Sequence, residues 1–135
     1  DNYINLKDAL VEDNSEQATS DAKKIISSFR KINMELLTGE AHKQWMTLEG
    51  HIQSSANSIS KSSEIKTQRD HFKQLSTQLI KAVQLFGVNE KVYVEFCPMA
   101  DNNNGAYWLS KEEQILNPYF GDTMLKCGEV KQTIE

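Results

Sequence analysis

Proline and glycine are scarce in this chain of 135 residues, with two of the first and six of the second. A turn-rich β fold needs both, so their scarcity favours long helices. Cysteine is also rare. Cys97 and Cys127 are an even number, but too few to establish an oxidising compartment. No apolar run approaches the roughly 20 residues that cross a bilayer, so no membrane insertion is expected. A basic block is missing too: fifteen Lys and Arg stand against nineteen Asp and Glu, a net charge of −4. Nucleic acids and anionic membranes are bound through clustered positive charge, so neither is expected as a partner. There is no glycine-rich phosphate loop, dinucleotide fingerprint, G-x-S-x-G elbow or H-E-x-x-H zinc helix. Without a C-x-x-C pair, zinc-finger and haem-attachment patterns fall away as well. The chain opens at Asp1 with no signal segment, which is read as a trimmed or processed chain.

What is present is a globular composition. Hydrophobic residues make up 39% and charged residues 25%, which argues against disorder. The length suffices for a core without a structural metal. The chain is read as a single domain, 1–135, in two parts of unlike composition. Residues 1–87 hold no proline and read as a bundle of about four up-and-down helices. Residues 88–135 hold both prolines and both cysteines and read as an irregular cap.

Apolar spacing of three and four defines the helices. Tyr3, Leu6 and Leu10 mark a short first helix, and Asp13-Asn14-Ser15 caps the next. Ala18, Ala22, Ile25, Ile26, Phe29, Ile32, Leu36 and Leu37 mark the second, which stops at Thr38-Gly39. Trp45, Leu48, Ile52, Ala56 and Ile59 mark the third, with Gly50 tolerated inside it. Ile65, Phe72, Leu75, Leu79, Val83 and Phe86 mark the fourth, which Gly87 ends. Beyond it Val92, Val94 and Phe96 alternate with Tyr93 and Glu95, a strand. Val130 to Ile134 is its expected partner in a two-stranded element. Asn102 to Gly105 reads as a turn, and Ser110 to Glu113 as the capping box of one helical turn. Trp108, Tyr119 and Phe120 are expected to pin the cap onto the bundle.

Chemistry concentrates in the sulfurs. Cys97-Pro98-Met99 is C-x-M, and in an extended segment positions two apart face one side. Met124 to Cys127 is M-x-x-C, and on a helical turn positions three apart share a face. If the two stretches meet, two thiolates and two thioethers converge, a donor set that suits Cu(I). A Cys97–Cys127 disulfide or two inert thiols fit the same spacing. His51 and His71 lie at similar distances from the turn near Lys61. They converge in the groove or sit on the outer flanks; His42 completes the histidines. Cys97 and His71 supply nucleophile and base types but no catalytic motif, so no enzyme is expected.

The tail carries four blocks in order: Cys97-Pro98-Met99-Ala100, Gly105-Ala106-Tyr107-Trp108-Leu109-Ser110, Asn117-Pro118-Tyr119-Phe120-Gly121, and Met124-Leu125-Lys126-Cys127-Gly128. With Arg69-Asp70-His71-Phe72 in the fourth helix, they resemble a bacterial domain of unknown function. That domain occurs in secreted proteins and fused to periplasmic adaptors of copper/silver efflux pumps. The resemblance implies a periplasmic, secreted or lipoprotein-anchored location and a role in heavy-metal handling. It implies Cys97, Met99, Met124 and Cys127 as ligands of Cu(I) or Ag(I), with His71 as an outer member. An efflux adaptor or another envelope protein is the implied partner. The alternative is a disulfide-stapled interaction module that binds no metal.

Overall fold

The computed structural model describes residues 2–29, 39–88 and 90–135. The expected helical positions Ile32, Leu36, Leu37 and Thr38, and the side chain of Phe29, lie outside the described residues. The helices are α1 (Asn2–Val11), α2 (Ser15–Phe29), α3 (Gly39–Ser60) and α4 (Ile65–Phe86). Consecutive helices pack on one another, as the heptad-like spacing requires. Leu6, Leu10, Ala18, Ala22, Ile52, Ala56, Ile59, Phe72 and Leu75 form the buried seam. Asn14 caps α2, its side-chain oxygen accepting from the Gln17 N–H at 3.1 Å. Gly50 stays helical. Gly87, at φ +81°, returns its N–H to the Val83 carbonyl and closes α4.

The cap holds a three-stranded antiparallel sheet, not a two-stranded one: β1 (Val92–Cys97), β2 (Ala106–Ser110) and β3 (Glu129–Ile134), in the order β2-β1-β3. The expected pairing of β3 with β1 is present, with a bulge at Val94/Glu95. Strand β2 was hidden inside the Tyr107-Trp108 block. Its Tyr and Trp suit a pleated, half-buried surface, and it pairs Glu95 with Trp108 and Cys97 with Ala106.

Between β1 and β2 the chain makes one turn, Ala100–Asn103 (α5), which begins two residues before the turn expected at Asn102 to Gly105 and overlaps it. Asp101, Asn102 and Asn103 are all left-handed, with φ of 54°, 54° and 68°. Asp and Asn tolerate that region because their short side chains bond locally. The turn is tied to α4 by an ion pair between Lys73 and Asp101.

The alternation expected in β1 does not hold. Glu95 is fully buried, whereas Phe96 is half-buried and packs on exposed Tyr107 at 4.5 Å. β1 is the central strand and is covered on both faces. Val94 and Tyr107 border a cleft against Thr77, Ile80 and Gln84 of α4. Trp108 on the other face lies against Gly128 of the following loop, and Ile115 packs beside that same glycine. A strand covered on both faces loses the simple period. The expected helical turn at Ser110 is absent too. The Ser110 hydroxyl accepts from the Glu112 N–H at 3.1 Å, forming a hydroxyl-capped bend that no helix follows.

Aromatic side chains join cap to bundle as expected. Tyr3 stacks on Phe72 at 5.2 Å, Phe72 meets Tyr119 at 5.6 Å, and Tyr119 meets Trp108 edge-on at 6.0 Å. The Tyr3 hydroxyl accepts from the Leu109 N–H at 3.0 Å and shares a hydrogen bond with Ser76 at 2.7 Å. Burial pushes both the Tyr3 and Tyr119 phenols up, so each stays a neutral hydrogen-bonding group.

Arg69 is the polar clasp. Its guanidinium donates to the carbonyls of Pro118 and Leu10, both at 2.8 Å, and pairs with Asp13. Gly121 lies against this clasp at φ +54°; a Cβ there would fall 2.5 Å from the Asp13 carboxylate. Arg69→Ala is expected to cost about 2 kcal/mol, since charged hydrogen bonds to two carbonyls are lost together. Urea unfolding, with an unchanged slope and a lower midpoint, checks this.

Candidate functional site

The two thiols are brought together by the sheet. Cys97 is the last residue of β1, and Cys127 lies two residues before β3, which runs back along β1. Their sulfurs stand 3.0 Å apart and are not bonded. Cys97 is fully buried and Cys127 half-buried. A disulfide requires about 2.0 Å. Two thiolates on one tetrahedral ion with metal–sulfur distances near 2.3 Å stand about 3.8 Å apart. The pair therefore closes by about 1 Å for one product and opens by slightly less for the other.

The thioethers are placed differently from the expectation. β1 ends at Cys97, and Met99 lies in the following turn at φ −90°, ψ −11°. The extended geometry that aligns C-x-M is lost, and the Met99 side chain is 47% exposed. The Met99 backbone N–H is instead near enough to the Cys127 sulfur to favour its charged form. Met124 to Cys127 is a tight turn, not an α-helix. It is closed by the Cys127 N–H on the Met124 carbonyl at 3.1 Å, and Met124 is half-buried beside it.

A hydrogen bond with Cys97, then burial, pushes the Cys127 thiol up, and the Met99 N–H pulls the other way. Thiolate binding of a cation here must therefore release a proton from Cys127.

Asn117 braces this loop, and the sequence reading missed that role. Fully buried, it donates from Nδ2 to the Cys127 carbonyl at 2.8 Å and from its backbone N–H to the Leu125 carbonyl at 2.7 Å. Its side-chain oxygen accepts from the Tyr119 N–H at 2.8 Å. The Asn-Pro pair was the available signal, because it initiates turns.

The histidines do not join the thiols. His51 is exposed and borders a shallow depression with Ser55, Lys73, Gln74, Thr77 and Gln78; His71 is half-buried elsewhere on α4. Among the described residues, no group of three or more His, Cys, Asp or Glu is placed to hold a metal ion. A donor set here is thus two thiols supplemented by thioether or backbone.

The sequence also missed Glu95, two residues before Cys97. Both its carboxylate oxygens are buried without a hydrogen-bond partner, and so is the Trp108 indole N–H. Trp108 is near enough to favour the charged form without reaching hydrogen-bond geometry. Lys7 of α1, itself buried and paired with Asp8 at 2.9 Å, adds a second favourable charge. Burial outweighs both and pushes the Glu95 carboxyl up to about 7.

Fold and site together define a mainly α protein whose small terminal sheet carries a dithiol. The chain belongs to the family described as protein of unknown function (DUF3347), whose profile matches residues 1–91. The match ends before β1, so His71 lies within it and Cys97, Met99, Met124 and Cys127 lie beyond it. The four tail blocks that carried the sequence resemblance are thus outside the matched residues. No curated protein and no solved structure matches the chain. No helix among the described residues is long and apolar enough to cross a membrane.

Proposed function

We propose that this protein is a non-catalytic module of the cell envelope that binds Cu(I) or Ag(I) and hands it to an efflux adaptor or similar partner. One observation supports the reading above others: two thiols from distant parts of the chain meet at 3.0 Å, one buried and one reachable. The ion is cargo. Cys97 and Cys127 would hold it as thiolates, soft donors that select Cu(I) over hard cations. Met124 shares a tight turn with Cys127 and is half-buried beside it, and exposed Met99 suits a first contact at the surface. The envelope location and the adaptor rest on the resemblance of the tail blocks.

The test is a Cu(I) competition titration of the fully reduced chain against a chromophoric chelator, without oxygen. One tightly held Cu(I), lost in the Cys97→Ser/Cys127→Ser double variant, is the expected result. Uptake indifferent to the cysteines would sink the reading. A second reading has its own support, because 3.0 Å is shorter than two sulfurs sharing an ion adopt. In that reading Cys97–Cys127 is a staple, and the bundle faces engage another protein. No Cu(I) uptake by reduced protein, with a disulfide that resists mild reductant, would favour it.

A further inference from the structure

The geometry points to a second chemistry at the same pair: Cys127 and Cys97 react in that order with an external disulfide, and the ring they close shuts the metal site. The order follows from access. Cys97 is fully buried at the end of the central strand, so a bulky disulfide cannot reach it. Cys127 is half-buried in a loop, so its sulfur is the reachable one of the pair. Thiol–disulfide exchange requires the entering sulfur to be reachable.

In the first step the Cys127 thiolate attacks one sulfur of the donor disulfide. A bond forms between them, the donor S–S bond breaks, and one donor thiolate leaves with the proton that Cys127 gave up. In the second step the Cys97 thiolate attacks the Cys127 sulfur, 3.0 Å away. The mixed disulfide breaks, and the second donor thiolate leaves with the proton of Cys97. The protein loses two electrons and two protons, and the donor becomes two thiols. Asn117, fixed on the Cys127 carbonyl, keeps the loop in place for ring closure. Exchange stands on the thiol geometry alone. The gate rests on the metal reading, because a disulfide has no thiolate to offer a soft ion.

The probe is oxidised glutathione, added to the reduced, metal-free chain and followed by intact mass. The wild-type chain is expected to lose two hydrogens and retain no adduct. Cys97→Ser is expected to retain one glutathione, mapped to Cys127. Cys127→Ser is expected to react at least roughly ten-fold more slowly. Equal rates for the two single variants, or a lasting wild-type adduct with no ring closure, would overturn the inference. Should a variant fail to fold, limiting iodoacetamide on the native wild-type chain decides the order. Label on Cys127 first supports it, and label on Cys97 first or on both equally overturns it. For the gate, Cu(I) titration of oxidised protein is expected to show no uptake, with uptake restored by a phosphine reductant removed beforehand. Equal uptake by oxidised and reduced protein overturns the gate. No uptake by the reduced protein overturns the metal reading and the gate with it, while the mass result judges exchange separately.

Discussion

Trp108→Ala is expected to lower stability by about 3–5 kcal/mol, the usual range for emptying a large buried aromatic site. Trp108 is fully buried, meets Tyr119 edge-on and lies against Gly128 in the loop that carries Cys127. Its loss removes packing on both sides of the sheet–loop junction, so the cap should loosen from the bundle. Trp108→Phe makes a useful contrast. It keeps most of the apolar area and removes an indole N–H that has no partner. An orphaned donor costs its desolvation, so its removal offsets part of the lost volume. The Phe variant should therefore lie within about 1–2 kcal/mol of wild type. Chemical unfolding of the three proteins checks both values. Equal losses for Ala and Phe would show that the N–H, not the ring, matters.

Glu95→Gln is expected to stabilise the protein above pH 7 and to leave it almost unchanged near pH 4. Burial pushes the folded-state carboxyl up to about 7 from an ordinary value of 4.5. The folded state thus holds this proton more tightly than the unfolded chain does. Its contribution is fully present below pH 4.5 and is lost as pH rises to about 7. Above that, folding carries a buried carboxylate with no hydrogen bond. The loss amounts to about 3 kcal/mol. Glutamine has the shape of the protonated acid, so the variant escapes that decline. Thermal melts of both proteins between pH 4 and 8 give the difference directly. A constant difference across that range would show that Glu95 titrates normally in the folded chain.

Much of the bundle was legible because a helix displays its burial as a local period. Tyr3, Leu6 and Leu10, then Leu48, Ile52, Ala56 and Ile59, are buried where the spacing placed them. Gly87 stops α4 because a residue at positive φ is a local requirement that the glycine reveals. The cap was less legible. Glu95 alternates with Val94 and Phe96 like an outward residue, yet it is sealed. Trp108 opposite it and the loop carrying Ile115 and Gly128 cover that face. Period alone cannot report a second layer contributed by residues further along the chain.

The pattern of residues along the chain specified four helices, their order, a capping stretch at Asp13-Asn14-Ser15, the β-prone segments of β1 and β3 and a tail rich in sulfur. Each depends on neighbours a few positions away or on the residue types themselves. The meeting of Cys97 with Cys127, the outward turn of Met99, the bracing by Asn117 and the burial of Glu95 arose from tertiary packing. They join positions that only the folded sheet and its covering loop bring within bonding range. Spacing limits which partners a side chain can meet locally, but distance through space depends on how the layers close over one another.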